Sequence, residues 1–417
     1  MNVRNINGSY ETLTKLTWVF MFIVLITAPL FPEGKSLGFY SVEWSFFVLA
    51  FFFMFFVLIT LFNGGMTLKW DNFYKLFIVF FLLGILSLID STSKLRGILF
   101  LGQWIPYFFL AIMCVSIIRS ERLLNIVLSK TIILGLFFSL IVISSFILFR
   151  DRVDLNNFLL HQFNIPVNKV LTYIELPYCI VTYRMVTGRK INFNTLVFLL
   201  GLLAVVFTGS RGSLLIVMGI LGLAVLKSES KIKAAIWFYL ALLLLAAGLI
   251  ISPYTADRFE KLSNALGEDK ASAVSLSRLY TMQVAWQMIK EHPVNGVGMG
   301  NLSQYSGNAS KKLSLPRAIY DYWKGHGLFE TSCAPLKIGA ELGVAGLIFF
   351  FVFYFTLWRR IRIAQKSTSG QALQLLTGME IYVISSFVHN IIDLGFYNYY
   401  SWFYYGLVLA AARIYKK

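Results

Sequence analysis

The chain has 417 residues, of which 58% are hydrophobic, 17% are aromatic and only 14% are charged. Its mean hydropathy of +0.71 exceeds what a single soluble core requires, which excludes a water-soluble globular protein. The net charge of +17 suits contact with anionic lipids. Because the basic residues are spread along the chain rather than gathered in one patch, a nucleic-acid partner is not expected.

Long apolar runs separated by charged or Gly/Pro breaks indicate a polytopic membrane protein. A bilayer core ~30 Å thick takes ~20 apolar residues per helix, and the alternation typical of barrel strands is absent from the sequence. The fold class is therefore all-α, a bundle of about twelve transmembrane helices. The predicted spans are 14–31, 42–62, 76–90, 98–118, 124–149, 171–183, 195–209, 213–226, 234–252, 336–358, 374–392 and 398–413.

Most Lys and Arg residues of the short connections fall on the side that holds both termini. The positive-inside rule therefore predicts cytoplasmic termini, with the first span retained as a helix because no cleavage site follows it. The chain divides into helices one to nine (1–252), a large extracytoplasmic loop expected to be catalytic (253–335) and helices ten to twelve (336–417).

Two segments of that loop have local signals. SLSRLYTMQVAWQMIKEHP predicts a short amphipathic helix with an apolar face formed by Leu279, Met282, Trp286 and Ile289, which could lie on the membrane as a lid. HPVNGVGMGN, at 292–301, has three glycines at alternate positions. A nucleotide-binding loop needs a preceding strand, so a tight turn that returns the loop to the bundle is favoured.

Two arginines are candidates for binding an anion. Arg211, in VFTGSRGSLLIVMGILGL, stands between two closely spaced spans, beside Ser210 and Gly212. Its alternative role is that of an interfacial arginine reaching water. Arg278 opens the loop helix, where the helix dipole also favours an anion; its alternative is a solvated surface charge. Together the two guanidinium groups are predicted to grip a diphosphate without a metal.

The stretch YDYWKGHGLFETSCAPLKIGAELGVAGL supplies further candidates. His326 and Glu330 lie four residues apart, so a helix would orient the imidazole as a general base for a sugar hydroxyl; a surface histidine beside a loop carboxylate is the alternative. Glu341 is expected to pair with a cation such as Arg211 or to cap a neighbour. The predicted substrate-binding residues are Trp323, Tyr320, Tyr322 and Lys324, the aromatic ones being equally typical of an interfacial belt.

The remaining reactive side chains carry weaker signals. His389 is predicted to be a hydrogen-bonded interhelical histidine rather than a catalyst, and His161 lies in a loop of unassigned role. Cys114 and Cys179 fall in apolar runs and are interpreted as small packing residues, and with Cys333 they are too scattered for a disulfide framework. No metal-ligating motif is present in the sequence, so neither a metal nor another cofactor is expected.

Three segments together resemble the bacterial superfamily of O-antigen ligases and O-antigen polymerases. They are TGSRGSLL, SRLYTMQVAWQMIKEHPVNGVGMGN and AELGVAGL, in this order around one large loop, and the resemblance covers about 200–360. It implies a metal-independent glycosyltransferase at the periplasmic face of the bacterial inner membrane, with a glycan on undecaprenyl diphosphate as donor. By similarity, Arg211 and Arg278 match the arginines that hold the diphosphate.

The resemblance fails at one informative place. Ligases of this superfamily carry a His-Asn pair about nine residues before the Glu-x-Gly that opens the next helix, whereas here Ser332 and Cys333 occupy those positions. His326 is the nearest preceding histidine of that segment. This departure favours a polymerase, which joins lipid-linked repeat units and would work beside a chain-length regulator. A ligase that uses lipid A core as acceptor is the first alternative.

A transporter of lipid-linked sugars is the second alternative, from another functional class. Twelve helices would suit it. Secondary transporters usually show matching halves with broken helices, however, and here only the second half contains a large loop.

Overall fold

The structure of the protein, a computed structural model, describes residues 72–149, 159, 169–188, 193–251, 277–313 and 331–416. These residues form helices joined by short connections, with no β-strand among them. The helices are α1 (Asn72–Ser87), α2 (Lys94–Ile117), α3 (Glu121–Leu148), α4 (Val170–Thr187), α5 (Phe193–Thr208), α6 (Arg211–Lys227), α7 (Lys231–Ile251), α8 (Ser277–Glu291), α9 (Leu302–Lys312), α10 (Ala334–Gln365), α11 (Gly370–Ile392) and α12 (Tyr399–Tyr415), with a 3-10 turn at Gly395–Tyr397.

The all-helical class is confirmed within the described residues. The predicted spans from 76–90 onward each coincide with a helix, α1 to α7 and α10 to α12, and most ends agree within a turn. The spans predicted at 14–31 and 42–62 lie outside the described residues. Four described helices, α2, α3, α10 and α11, are long and apolar enough to cross a bilayer, and α1 and α5 are shorter apolar helices. The total of twelve crossings stays a prediction.

The outer surface of the bundle is apolar, as a bilayer requires. On α1, Ile78, Leu82 and Ile85 are exposed, whereas Phe77 and Phe80 on the other face are buried. A helix that places apolar side chains on both its faces is adapted to a lipid solvent rather than to water. The chain is therefore a multi-pass membrane protein.

The centre of the bundle is formed by two helices, α4 and α12, that are buried on nearly all sides. Helix α4 packs against α3, α5, α6 and α11, and α12 packs against α2 and α10. Aromatic rings fill the space beside α12: Phe77 stacks on Phe108 with ring centroids 4.3 Å apart, and Trp402 meets Phe108 edge-on at 4.6 Å. This dense packing fixes the helix ends that form the polar regions.

Residues 277–313, here called the cap, pack onto one end of the bundle, here called the cap end. The cap end contains the α1–α2 connection (88–93), the α5–α6 connection (209–210) and the turn after α11 (393–398). Asn295 donates a hydrogen bond of 2.7 Å to Asp90, and Asn301 donates one of 2.8 Å to Ser91. The loop helices are thereby fixed over the ends of α1 and α2.

A break in α10 holds the cap from the other side. Gly343 has φ of 71°, so the helix is interrupted there and the carbonyl groups before it lose their usual partners. Val297 N–H donates to the Ala340 carbonyl at 2.8 Å, and Val344 N–H donates back to the Pro293 carbonyl at 2.8 Å. The glycine-rich turn and the interrupted helix thus satisfy each other's backbone groups. This exchange of hydrogen bonds between the two segments is here called the interlock.

The interlock confirms that HPVNGVGMGN is a tight turn returning to the bundle. Gly296, Gly298 and Gly300 all have positive φ. A Cβ atom on Gly296 would lie 2.4 Å from the Glu341 carbonyl oxygen, and one on Gly343 would lie 2.4 Å from the Val294 carbonyl oxygen. Only glycine allows these two backbones to approach so closely.

The opposite end of the bundle is held by a buried carboxylate. Glu380 of α11 accepts a salt bridge from Lys227 at 2.9 Å and hydrogen bonds from Gln365 at 2.9 Å and Trp358 at 3.2 Å, with Arg362 at 3.7 Å. This network joins α6, α10 and α11 at the end far from the cap.

Candidate functional site

Arg211 is the first residue of α6, at the cap end. Ser210 caps this helix by accepting from Ser213 N–H, and Gly209 reverses the chain with φ of 59°. The guanidinium is partly exposed, and among the described residues no carboxylate pairs with it. A cation placed at a helix N-terminus adds to the positive end of the helix dipole instead of neutralising it, which makes this position attractive to an anion.

Arg278 is the second residue of α8 and its side chain is exposed. Helix α8 packs against α9 and α10, whereas α6 packs against α4 and α11. Both arginines therefore belong to the cap end, but among the described contacts nothing joins the two side chains. Their predicted meeting over one diphosphate remains a proposal.

The amphipathic helix is present, but most of the predicted apolar set is not the set that packs on the rest of the protein. Leu279 and Trp286 are exposed, whereas Val284, Ala285 and Met288 are buried between α8, α9 and α10. The buried residues lie on a different side of the helix from Leu279 and Trp286. This side packs on α9 and α10, next to the interlock. Ile289 belongs to both sets, since it contacts Gly339 of α10.

The residues predicted to form the base and the sugar platform lie outside the described residues. They are His326, Glu330, Trp323, Tyr320, Tyr322 and Lys324, and His161 also lies outside. Their roles stay predictions.

Lys337 is a cap-end cation that the sequence interpretation missed. It lies in the first turns of α10, only 4% exposed, with its Nζ 4.7 Å from the centre of the Tyr397 ring and 5.6 Å from that of Phe100. The ammonium is thus held by two aromatic faces from α2 and the turn after α11. The sequence signal that could have identified Lys337 is a lysine near the N-terminus of an apolar helix, where the helix dipole disfavours a cation.

Ser332 and Cys333, which occupy the positions of the ligase His-Asn pair, immediately precede α10. Burial raises the pKa of the Cys333 thiol above its ordinary value, so this thiol stays protonated at neutral pH. Neither of the two positions carries an imidazole, and the raised pKa disfavours the Cys333 thiolate. The three cysteines are free and buried, which agrees with the interpretation of Cys114 and Cys179 as packing residues.

Glu341, 1% exposed, lies just before the break in α10, and its backbone carbonyl accepts from Gly298 N–H at 3.2 Å. The described ion pairs do not join Glu341 to Arg211. The backbone carbonyl of Glu341 takes part in the interlock.

Beneath the cap end, two ionisable side chains meet inside the bundle. His389, in the last turn of α11, shares a hydrogen bond of 2.9 Å between its Nδ1 and Oε2 of Glu175 in α4. Oε1 of Glu175 accepts from Ser385 at 2.9 Å, and Ser385 lies 3.5 Å from the Cys179 sulfur. The interhelical hydrogen bond of His389 is confirmed, whereas Glu175 was missed although it stands alone in the apolar run LTYIELPYCIV.

Asn390, beside His389, holds the turn that follows α11. Its amide nitrogen donates to Tyr354 at 2.8 Å and to the Ser386 carbonyl at 2.7 Å, and its oxygen accepts from Phe396 N–H. Because Tyr397 follows Phe396, this network also fixes one ring of the Lys337 site.

The comparison with protein families assigns the middle of the chain. Residues 196–351 match the family model described as O-antigen ligase. This segment is similar to the O-antigen ligase family. It extends from α5 through Arg211, the cap and the interlock into α10, and so confirms the resemblance to the O-antigen ligase and polymerase superfamily. A search of curated proteins found no match.

Members of the O-antigen ligase family are membrane glycosyltransferase-like enzymes. Arg211, the cap, Lys337 and the interlock fall within residues 196–351. The α1–α2 connection, Phe100, Glu175 and the end of α11 with its following turn also belong to the cap end or lie beneath it, but they are outside the matched segment.

Proposed function

We propose that the protein is an O-antigen polymerase. It transfers a glycan from undecaprenyl diphosphate to the next lipid-linked repeat unit at the periplasmic face of the inner membrane. A hydroxyl of the acceptor sugar attacks the anomeric carbon with inversion, the bond from that carbon to the diphosphate oxygen breaks, and the electron pair leaves with the diphosphate. The hydroxyl proton passes to a base, for which His326 oriented by Glu330 is the candidate.

The observation that carries the proposal is the position of Arg211. It is a cation without a described carboxylate partner, at the N-terminus of a helix within the segment similar to the O-antigen ligase family. Charge that builds on the departing diphosphate is stabilised by fixed cations in a site of low dielectric. Arg278 in the overlying cap is proposed as the second cation, so the reaction needs no metal.

A ligase, with lipid A core as acceptor, is the second candidate because the family model bears that description. The sequence at Ser332 and Cys333 favours the polymerase. The ligase His-Asn pair is absent from these positions, and the raised pKa disfavours the Cys333 thiolate. Both candidates share the donor and the cation site.

A reconstituted assay separates the candidates. The full-length protein in liposomes receives purified lipid-linked repeat unit, alone or together with lipid A core, without ATP and in the presence of EDTA. Chain growth on the carrier lipid supports the polymerase. Transfer to lipid A core without chain growth on the carrier lipid supports the ligase. Movement of the lipid-linked sugar across the bilayer without a new glycosidic bond would overturn both.

A further inference from the structure

The Glu175–His389 pair has no part in the transfer chemistry described above, yet it is costly to maintain. Both side chains are about 3% exposed and lie between helices of the bundle. Ionisable groups inside membrane helices are expensive to desolvate and are usually retained for function. Hydrophobic residues of similar size would pack α4 against α11 without that cost.

The position of the pair connects it to Arg211. His389 lies one turn before Ile392, whose Cγ2 atom is 3.0 Å from the Cβ position of Gly212. Gly212 directly follows Arg211, so the first turn of α6 rests on the last turn of α11. Helices α4, α6 and α11 pack pairwise against one another. A hydrogen bond from α4 to the end of α11 therefore fixes the surface on which Arg211 stands.

We infer that Glu175 and His389 form a positioning pair for the cation site: they lock the cap end of α11 against α4 and thereby hold the Arg211 guanidinium in register with the leaving diphosphate. The inference rests on the proposed function. Ser385 strengthens the lock because its hydroxyl occupies the second carboxylate oxygen. A displacement of ~1 Å at a reacting centre costs about 10²-fold in rate, so a remote lock of this kind has a large kinetic effect.

The test compares variants of the full-length protein in the liposome assay. His389→Ala removes the hydrogen bond, and we expect kcat to fall by about 10–100-fold with a smaller change in the KM of the donor. His389→Asn places an amide nitrogen near the position of Nδ1, so it should recover most of the lost rate. Equal impairment of both variants, or normal turnover of His389→Ala, would overturn the inference.

The matched control is Glu380→Gln, which perturbs another buried carboxylate network of the same helix at the opposite end. If loss of stability alone lowered turnover, Glu380→Gln would lower kcat as His389→Ala does. We expect both variants to lower the melting temperature and only His389→Ala to lower kcat. An equal fall in kcat would contradict positioning.

A double variant distinguishes failure of the inference from failure of the proposed function. If the pair acts through Arg211, then Arg211→Ala combined with His389→Ala should turn over no more slowly than Arg211→Ala alone. Inactive Arg211→Ala with fully active His389→Ala would overturn the positioning role and leave the cation site intact. Normal turnover of Arg211→Ala would overturn the cation site itself.

A structural readout needs no turnover. The variant Gly212→Cys with Ile392→Cys brings two thiols to the contact between α6 and α11. We expect oxidative cross-linking to be fast when His389 is present and much slower in the His389→Ala background. Unchanged cross-linking would show that α11 keeps its position without the pair and would overturn the inference.

Discussion

At the scale of residues, the cap end gathers charges whose environments differ. Arg211 is partly exposed at a helix start, Lys337 is enclosed by Tyr397 and Phe100, and Glu175 is hydrogen-bonded to His389 inside the bundle. The buried cation and the buried pair are satisfied by neighbouring groups, whereas Arg211 has no described carboxylate. This difference makes Arg211, rather than the better enclosed charges, the natural contact for an incoming anion.

Cys333 gives a residue-scale prediction because it is one of the two residues compared with the ligase His-Asn pair. Its thiol is buried and its pKa is raised, so it carries no negative charge at neutral pH. We expect Cys333→Ser to leave both kcat and the pH profile of transfer unchanged within twofold or so, since no ionisation of Cys333 enters the reaction. A profile that lost its basic limb in Cys333→Ser would show that the thiol does titrate in catalysis.

Sequence reasoning proposed a role for Arg211 and overlooked Glu175, and the reason is physical. An arginine between two closely spaced spans is costly to desolvate, and its positive charge suggests an anionic ligand. The role of a single glutamate in an apolar run can be inferred only when its partner is known. The partner here, His389, lies 214 residues away in the sequence. The packing of α4 against α11 determines which of their faces meet. Neither apolar run specifies this packing alone.

At the scale of elements, the interlock explains why two separate sequence motifs occur together. The glycine turn at 292–301 and the Glu-x-Gly segment of α10 exchange backbone hydrogen bonds, so each is needed to satisfy the other. The turn itself was predictable from alternating glycines. Its partner was not, because an apolar helix containing Gly343 looks continuous in sequence.

Substitutions at the interlock should detach the cap without unfolding the bundle. Gly343→Ala and Gly296→Ala combine a positive φ with a Cβ clash at 2.4 Å, so we expect the cap to become sensitive to protease and transfer to be lost, with membrane insertion unchanged. Gly307→Ala in α9 is the control. No atom lies near its Cβ position, and it should be neutral or stabilise by about 0.5–1 kcal/mol. A protease-resistant Gly343→Ala cap would contradict the interlock.

The two cap helices are also joined by a titratable contact. Glu291 of α8 accepts from Gln287 at 2.8 Å and pairs with Lys312 of α9 at 3.0 Å, and these contacts lower its pKa below the ordinary value. Because the folded pKa is depressed, the contribution is present at neutral pH and is lost as the pH falls through that lowered value.

Acid should therefore loosen α8 from α9 modestly. Lys312 is 61% exposed, so the pair contributes only ~0.2–1 kcal/mol. We expect the protection factors of α9 amides to fall below about pH 4, with Glu291→Gln showing the lower protection already at pH 7 and little further change on acidification. Protection factors in the unsubstituted protein that do not change with pH would show that this contact does not hold α9.

The amphipathic pattern of α8 shows the limit of a single-helix prediction. Its existence and its end before Pro293 were correct, but periodicity allowed more than one apolar face. The structure buries Val284 and Met288 against α9 and α10 and leaves Trp286 exposed on the other face.

At the scale of the whole molecule, the two ends of the bundle have different chemistry. The cap end carries Arg211, Lys337 and the cap, whereas the opposite end is closed by Glu380 and its three-helix network. The pattern of alternating helix directions followed directly from apolar runs. Which end faces the periplasm rests on the distribution of Lys and Arg and stays a prediction.

Labelling can determine that orientation. The native cysteines are buried, so background reaction is expected to be low. Thr92→Cys lies on the exposed α1–α2 connection of the cap end, and Glu229→Cys lies on the exposed α6–α7 connection of the opposite end. In intact spheroplasts, a membrane-impermeant maleimide should label Thr92→Cys and reach Glu229→Cys only after permeabilisation. The reverse pattern would place the cap in the cytoplasm.

The most direct measurement of the central claim is chain growth by Arg211→Ala in liposomes with purified lipid-linked repeat unit, beside the exposed opposite-end control Arg122→Ala. The loss of one charge-stabilising donor typically costs 10²–10³-fold in kcat. The account predicts a fall of about that size for Arg211→Ala, partial recovery in Arg211→Lys and normal turnover for Arg122→Ala. Chain growth by Arg211→Ala at the rate of the unsubstituted protein would contradict it.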